Sequence, residues 1–413
     1  MKLSHGLHLA YCTNIHRGES WEETLANLER HTLAIRARVC PKAPYAIGLR
    51  LSARAAFELR EPAALTAFRH WLDRHDCYVF TINGFPYGRF HGARVKEQVY
   101  VPDWSQDERL EYTNLLFDLL AELLPEGVEG SVSTVPGTFK EFVRGPAHVR
   151  AMRDRLWRCV EHIDRLSQAS GHGLHLGLEP EPLCFLETSG ETVQFFEALR
   201  EDRPGDERID QCLGMNYDTC HLAVEFEDAR EALARLERGG VRVSKIHLSS
   251  ALKLRPTAAV RQALAAFADD TYLHQVIVRD AAGTLTRHRD LDAALASPPP
   301  AASRRLGEWR IHFHVPLHSR PAAFLDPGQD RSQLDFAGGL DQRLFDDTTD
   351  HLRGVLDALA ARPALCSHLE METYTWEVLP PELKNRCVVD QIVAEYQWTL
   401  GQLAQRGLHP AGT

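Results

Sequence analysis

Residues 213–228 read LGMNYDTCHLAVEFED, and the apolar run that opens this stretch leads into Asp218, with His221 three residues later. We predict a β-strand over the apolar run, followed by a turn into a helix. A carboxylate and an imidazole at such a strand end are well placed to bind a divalent metal ion. The alternative is that Asp218 only caps the turn and that His221 is an ordinary loop histidine.

Outward from this stretch, predicted strands and helices alternate along most of the chain. The predicted strands span residues 8–13, 47–51, 78–82, 128–134, 174–178, 213–217, 243–247 and 365–373. The predicted helices span residues 21–39, 62–76, 106–124, 147–170, 191–200, 229–238, 346–362 and 383–406. This alternation, at roughly 30 to 50 residues per unit, indicates parallel strands with helical crossovers. It favours an α/β fold of the closed (β/α)8 TIM-barrel type over an open doubly wound sheet.

We predict a single barrel domain that is interrupted by one insertion. Residues 1–250 would form the first seven βα units, and residues 345–413 the last helix, the final strand and a C-terminal helix. Between them, residues 251–344 break the rhythm with a predicted hairpin (273–278 and 285–289) and a proline-rich run (297–301). Because loops at the carboxyl ends of barrel strands tolerate insertions, we interpret this segment as a small β element after the seventh strand.

Four predicted strands end in side chains that commonly bind metal ions. In chain order these side chains are Glu179 or Glu181, Asp218 with His221, His247, and Glu370 or Glu372. In a parallel barrel the carboxyl ends of the strands converge on one mouth, so these groups would meet there. Carboxylates with one or two imidazoles suit Mn, Zn, Co, Fe or Mg better than a soft metal. For each carboxylate alone a buried pair with an arginine is the alternative, and the recurrence at four strand ends favours a metal site.

Two of these positions leave a choice between neighbouring carboxylates. Glu370 and Glu372 share strand parity, so both would face the barrel interior. We favour Glu372 because it lies nearer the end of the strand, where metal ligands belong. We favour Glu179 over Glu181 because the prolines that flank Glu181 indicate that the strand is already ending.

Other polar residues could also reach the mouth of the barrel. His312 and His314 alternate as they would in a strand, and they could bind a second metal ion or simply pack within the insertion. Lys245 shares strand parity with His247 and could be a cationic substrate group or a member of a structural ion pair. Three more residues follow the first and third predicted strands and could line the mouth or be ordinary loop residues: His16, Asn83 and His91.

The composition limits the kind of partner. Of the 413 residues, 44% are hydrophobic and 25% are charged, which is usual for a soluble globular protein. A net charge of −10 argues against nucleic acid as the main partner. No run of apolar residues is long enough for membrane insertion, and the N-terminal residues lack the pattern of a signal peptide. Nine dispersed cysteines without a CxxC pair indicate reduced thiols, so we expect a cytoplasmic protein.

Four short segments carry a family resemblance: GLEPE (177–181), NYDTCH (216–221), KIHLS (245–249) and HLEMET (368–373). They resemble the xylose isomerase-like TIM-barrel superfamily, which includes ketose 3-epimerases, sugar isomerases and phosphodiesterases of the endonuclease IV type. The resemblance implies that Glu179, Asp218, His247 and Glu372 are the metal ligands. It also implies that Glu179 and Glu372 transfer protons and that His221 helps to hold the substrate.

Over nearly its whole length the chain is most similar to one subgroup, the metabolite traffic proteins called EboE. The segments that carry this similarity are HLAYCTNIHRGESWEE, GLRLS, TINGFPYGRFHG, NYDTCHLAVEFE, WRIHFHVPL and HLEMETYTWEVLP. Members of the subgroup are encoded beside a prenyltransferase-like protein and are implicated in handling a precursor of a secondary metabolite. His314 also falls where endonuclease-type members of the superfamily place a further histidine ligand, although His312 stands in place of the aspartate of their motif.

These observations lead to three functional hypotheses. The first is a metal-dependent isomerase or epimerase that acts on a small polar metabolite. The second is a metabolite-binding or trafficking protein that keeps the barrel without turnover, with a homo-oligomer or proteins of the same pathway as partners. The third is a metal-dependent phosphodiesterase or hydrolase, which the acidic composition makes the weaker enzymatic reading.

Overall fold

The computed structural model of the chain describes residues 1–92, 94–268, 270–297, 307–318, 345–378 and 387–411. The strands are β1 (His8–Tyr11), β2 (Tyr45–Arg50), β3 (Cys77–Asn83), β4 (Gly130–Thr134), β5 (Leu174–Leu178), β6 (Leu213–Asp218), β7 (Arg242–Leu248), β8 (Leu252–Leu254), β9 (Val276–Arg279), β10 (Leu285–His288), β11 (Glu308–Ile311), β12 (Asp346–Asp347) and β13 (His368–Met371). The helices are α1 (Trp21–Asn27), α2 (Leu33–Val39), α3 (Ala53–Leu59), α4 (Pro62–Arg74), α5 (Asp107–Leu123), α6 (Pro146–Ser170), α7 (Ser189–Asp202), α8 (Arg208–Cys212), α9 (Thr219–Val224), α10 (Ala229–Arg238), α11 (Ala258–Leu264), α12 (Leu291–Ala296), α13 (Thr349–Ala361) and α14 (Val388–Ala404).

Eight parallel strands form a nearly closed barrel with helices between them. Their order is β1-β13-β7-β6-β5-β4-β3-β2, and β1 approaches β2 through a parallel bridge between Cys12 and Gly48. The predicted (β/α)8 barrel is therefore confirmed. Its strands are buried almost throughout, as expected for parallel strands that are covered by helices on the outside and filled by side chains on the inside.

The register of the strands determines which strand-end residues become neighbours. Asp218 at the end of β6 pairs with His247 on β7, and His247 pairs with Glu370 on β13. A register shift between Met215 and Asn216 brings Asp218 level with His247. The sequence motifs on β6, β7 and β13 consequently lie side by side at one end of the barrel.

A second, five-stranded antiparallel sheet follows β7, with the order β10-β9-β11-β8-β12. It has its own apolar core, to which Trp309, Ile311 and Phe313 contribute. The predicted hairpin is present as β9 and β10, although its first strand begins at Val276. Residues 298–301 of the proline-rich run, residues 319–344 and the predicted start of the C-terminal helix at residue 383 lie outside the described residues.

Two sequence-based predictions of local structure are wrong. The helix predicted over residues 21–39 is interrupted by a π-helical segment, Leu28–Thr32, between α1 and α2. His312 and His314 do not belong to a strand, because β11 ends at Ile311 and the amide of Phe313 bonds back to the carbonyl of Ile311. The short helices α3, α8, α11 and α12 were not predicted. None of the described helices is both long and apolar enough to cross a membrane.

We expect the packing of α13 on the barrel to make folding stability depend on pH. His351 on α13 is buried and hydrogen-bonds to the hydroxyl of Tyr217, and burial lowers the pKa of His351 from 6.5 to about 4. The unfolded chain therefore binds the proton more readily, and stability that is present above pH 6.5 is lost as the pH falls toward 4. This group alone should contribute about 3 kcal/mol to the loss.

Urea unfolding at a series of pH values measures this dependence. His351→Gln should flatten the dependence between pH 6.5 and pH 4, because the substituted side chain does not titrate. His172→Gln, at a partly exposed position, is the matched control. A His351→Gln variant with the same pH dependence as the wild type would contradict the assignment.

Candidate metal centre

Four side chains from four different strands meet at the mouth of the barrel. Glu179 and Glu372 directly follow β5 and β13, whereas Asp218 and His247 lie at the ends of β6 and β7. All four are buried, and one potential ligand atom of each lies within 4.8 Å of those of the others. His247 Nδ1 lies 3.0 Å from Glu179 Oε1, 3.0 Å from Glu372 Oε2 and 3.5 Å from Asp218 Oδ2.

The ring of His247 is oriented from behind by a buried ion pair. Its Nε2 lies 2.8 Å from Glu370 Oε2, and the same oxygen accepts a hydrogen bond of 2.7 Å from Lys245 Nζ. A proton on Nε2 leaves the lone pair of Nδ1 directed at the carboxylates, which is the usual arrangement behind a metal-bound histidine. The structure thus places Glu372 in the cluster and Glu370 behind the ring. Lys245 is a member of a structural ion pair, which is one of the two roles predicted for it. It does not line the cavity that lies beside the four-residue cluster.

Asp218 caps a helix and faces the cluster at the same time. Its Oδ1 accepts hydrogen bonds from the amides of Cys220 and His221, at 2.7 and 3.0 Å, and from Ser249 Oγ at 2.6 Å. Its Oδ2 is buried and has no hydrogen-bond partner among the described residues. The helix-capping role and the candidate metal-binding role, which were alternatives in the sequence, therefore involve different oxygens of one carboxylate.

Two asparagines hold the other oxygen of Glu372. Asn14 Nδ2 donates to Glu372 Oε1 at 2.7 Å, and Asn83 Nδ2 donates to the same atom at 3.1 Å. Asn83 is a predicted mouth residue, whereas Asn14 was not predicted. The signal that could have identified Asn14 is its position directly after the first strand, which corresponds to that of Asn83 after the third.

Glu181 lies beside the cluster but does not join it. Its Oε1 accepts a hydrogen bond of 2.6 Å from the hydroxyl of Tyr100 and a longer one, 3.4 Å, from Gln275 Nε2. Burial, with a further contribution from Glu179, raises the pKa of Glu181 to about 8. Of the two predicted alternatives, Glu179 is the one with an oxygen in the cluster.

A second group of potential ligands adjoins the first through Asp218. His221 Nε2 lies 3.4 Å from His314 Nε2 and 3.9 Å from Asp218 Oδ2. The Nδ1 atoms of His221 and His314 are bound to the backbone carbonyls of Pro180 and Glu372, so both Nε2 atoms are turned toward Asp218. These three side chains form a candidate metal-binding group that shares Asp218 with the first.

The other predicted histidines have different surroundings. His312 Nδ1 lies 2.7 Å from Gln275 Oε1 and its Nε2 3.3 Å from the hydroxyl of Tyr374, at the edge of the cavity. His16 stacks on His31 and bonds to the hydroxyl of Tyr11. His16 follows a 3-10 turn, Thr13–Ile15, and is not among the residues that line the cavity beside the cluster. The ring of His91 lies between the hydroxyl of Tyr272 and the carbonyl of Asn14.

The electrostatics of the four-residue cluster suit a cation. Burial alone would lower the pKa of His247, but Glu372 and Glu179 raise it well above its usual value. One oxygen each of Glu179 and Asp218 is buried without a hydrogen-bond partner among the described residues. Three buried carboxylates that share one imidazole carry excess negative charge, and a divalent ion would offset most of that charge. The residues present therefore fit a divalent metal ion.

Gly48 has no side chain, and the ion pair of Lys245 and Glu370 behind His247 occupies the space where one would lie. A Cβ atom at this position would overlap the carboxylate of Glu370 and would lie 2.6 Å from the carbonyl oxygen of Tyr11. We expect Gly48→Ala to lower the free energy of unfolding by about 3 kcal/mol, because backbone and buried carboxylate must both shift. Gly401→Ala on α14, where a Cβ would have no neighbour within 4 Å, is the control. Urea unfolding of both variants checks this, and equal stability of the two would contradict it.

Comparisons with known proteins agree with the architecture. No protein-family profile and no curated protein sequence matches the chain. A xylose isomerase-like TIM-barrel protein from Mycobacterium smegmatis, solved in complex with magnesium, is 12% identical with a TM-score of 0.52 and covers 98% of this chain and 99% of its own. An L-ribulose 3-epimerase is 14% identical with a TM-score of 0.48 and covers 98% of this chain and 96% of its own. The likeness to the Mycobacterium smegmatis protein agrees with the fold seen here, a (β/α)8 TIM barrel.

Proposed function

We propose that Glu179, Asp218, His247 and Glu372 bind a divalent metal ion and that the protein is an isomerase or epimerase of a small polar metabolite. The observation that carries this proposal is the convergence of three carboxylate oxygens on the Nδ1 atom of His247 at 3.0–3.5 Å. A bound ion would polarise a carbonyl or hydroxyl group of the metabolite. The ion could be Mn, Zn, Co, Fe or Mg, since all accept this set of donors.

The two glutamates of the cluster differ in their surroundings, which supports a different role for each. Glu372 Oε1 is held by Asn14 and Asn83, which keep this carboxylate oriented. Glu179 Oε2 is buried and has no hydrogen-bond partner among the described residues, so it can accept a proton from a carbon beside the polarised group. Glu372 would return a proton from the other side, and the Nε2 atom of His221 would bind a substrate oxygen.

The pathway proposal rests on the sequence resemblance alone. The similarity to the EboE subgroup supports a role in handling a secondary-metabolite precursor in the cytoplasm, beside partner proteins of the same pathway. Within such a pathway a metal centre can also hold a metabolite without transforming it, so a binding or trafficking protein is the alternative. Detection of turnover would distinguish an isomerase or epimerase from a binding or trafficking protein.

The adjoining group of Asp218, His221 and His314 supports a second candidate, a metal-dependent hydrolase. A carboxylate shared by two ligand groups is how paired ions are held about 3.5–4 Å apart in many phosphatases and nucleases. This reading predicts two bound ions per chain, whereas the isomerase reading requires one.

Elemental analysis of the purified protein and a screen of ketoses test the proposal together. Near-stoichiometric metal, with exchange of a carbon-bound hydrogen for solvent deuterium in at least one ketose, would support the isomerase reading. Bound metal without exchange in any sugar would favour the binding reading, and two ions per chain would favour the hydrolase. A protein that binds no metal even after metal is added would overturn the proposal.

A further inference from the structure

The cavity above the candidate metal centre has an aromatic wall. Phe90, Tyr272 and Tyr374 all line it, and their ring centroids lie 5.2–5.4 Å apart in every pair. The three rings come from the loop after β3, from the segment that precedes β9 and from the segment that follows β13. They form a buried cluster of their own, separate from the barrel core. We refer to these three residues as the aromatic cluster.

The aromatic cluster faces the same space as the polar groups of the metal centre. Glu179, Glu372 and His221 line one part of the cavity, and apolar residues such as Val99 and Leu273 extend the aromatic wall. A ligand that fills this cavity is therefore polar at one end and touches apolar rings at the other. A small sugar can place a C–H face on such rings, whereas a flat apolar group would cover more of their surface.

The charge of the cavity disfavours an anionic ligand. Lys96 is the only Lys or Arg among the described residues that line the cavity. Its Nζ lies 2.6 Å from Asp290 Oδ2 and donates to the carbonyl of Tyr272 at 2.6 Å, so its charge is already balanced. Even with a divalent ion bound, three carboxylates leave the centre with net negative charge. Phosphate groups are bound by arginines, lysines or open helix N-termini, and the cavity offers a substrate no such unpaired cation among its described residues.

We propose that the metabolite is an uncharged polyol or hydroxy ketone that carries a flat apolar group. This inference rests on the proposed function, because the hydroxyl or keto end lies at the metal centre. The apolar group stacks on the aromatic cluster, and Phe90, Tyr272 and Tyr374 determine specificity for it. The same charge distribution disfavours sugar phosphates and nucleic acid as substrates, and with them the phosphodiesterase hypothesis.

Binding of three matched ligands to the metal-loaded protein tests this inference. The ligands are D-fructose derivatives with a phenyl ether, a methyl ether or a phosphate on the terminal carbon, and titration calorimetry measures their affinities. We expect the phenyl ether to bind about 10-fold more tightly than the methyl ether because of the apolar area that it buries. The phosphate should bind most weakly. Equal affinities of the two ethers, tightest binding of the phosphate, or no binding of any of the three would overturn the inference.

Two phenylalanine variants test whether the aromatic cluster causes the preference for the phenyl ether. Phe90→Leu should abolish most of the difference between the two ethers while the metal content stays unchanged. Phe57→Leu changes a phenylalanine that is 59% exposed on α3, and it should leave the preference for the phenyl ether and the metal content unchanged. Loss of the preference in both variants, or in neither, would contradict the role of the aromatic cluster. Metal content is measured independently, so a protein without metal refutes the proposed function, whereas a metal-loaded protein without the phenyl preference refutes only this inference.

Discussion

Asp218→Asn should abolish stoichiometric metal binding while leaving the barrel folded. An asparagine oxygen can still accept the hydrogen bonds from the amides of Cys220 and His221 and from Ser249 that Oδ1 of Asp218 accepts. The amide nitrogen that replaces Oδ2, however, is not a metal ligand, and one negative charge is lost. We expect metal affinity to fall at least 100-fold, measured by elemental analysis after dialysis and by calorimetric titration.

The matched control for this variant is Asp228→Asn. Asp228 caps α10 in the same way, through the amides of Arg230 and Glu231, but it is exposed and lies outside the metal centre. Its substitution should leave the metal content unchanged. If Asp218→Asn retained full metal content with an unchanged affinity, the four-residue cluster would not be the metal site, and the proposed function would lose its support.

The order of strands and helices could be predicted from the sequence because buried parallel strands appear as short apolar runs between helical patterns. Residues 174–178 were predicted as a strand and form β5 with the same bounds. Once eight such strands are predicted, convergence of their carboxyl ends follows from the barrel topology alone. This reasoning is why Glu179, Asp218, His247 and Glu372, which are up to 193 positions apart (372 − 179), could be predicted to meet.

The sequence favoured Glu372 over Glu370 only through its position nearer the end of the strand, and it did not show which carboxylate lies beside Nδ1 of His247. Both side chains point into the barrel, and they differ only in height along its axis. That height depends on the stagger between β13 and β7, which places Glu370 level with His247. Strand stagger is a property of the closed barrel, and it cannot be inferred from the alternation of inward-facing and outward-facing residues within one strand.

Contacts made by irregular segments were also beyond prediction. Asn14 reaches Glu372 only because a 3-10 turn follows β1, and no periodic pattern marks such a turn. The second sheet pairs β8 with β12, two strands that are more than 90 residues apart in the chain. Tyr272 precedes β9 and Tyr374 follows β13, so the aromatic cluster joins segments far apart in the chain and became visible only in the structure.

Lys245→Met should be among the most destabilising single changes in the chain. Lys245 and Glu370 are fully buried and form an ion pair of 2.7 Å. Burial alone would raise the pKa of Glu370, but the charge of Lys245, with a contribution from His247, lowers it to about 2. Methionine fills a similar volume but leaves a charged carboxylate in the barrel interior. We expect the free energy of unfolding to fall by about 3–5 kcal/mol, as is typical when one partner of a buried pair is removed.

Urea unfolding without added metal measures this effect, and two further variants show its origin. Lys253→Met removes a lysine whose partner, Asp350, is mostly exposed, so it should cost at most about 1 kcal/mol. Lys245→Met combined with Glu370→Gln should recover much of the lost stability, because the glutamine is uncharged and its carbonyl oxygen can still accept a hydrogen bond from Nε2–H of His247. Equal losses at Lys245 and Lys253, or no recovery in the double variant, would contradict the assignment of the lost stability to the unpaired Glu370.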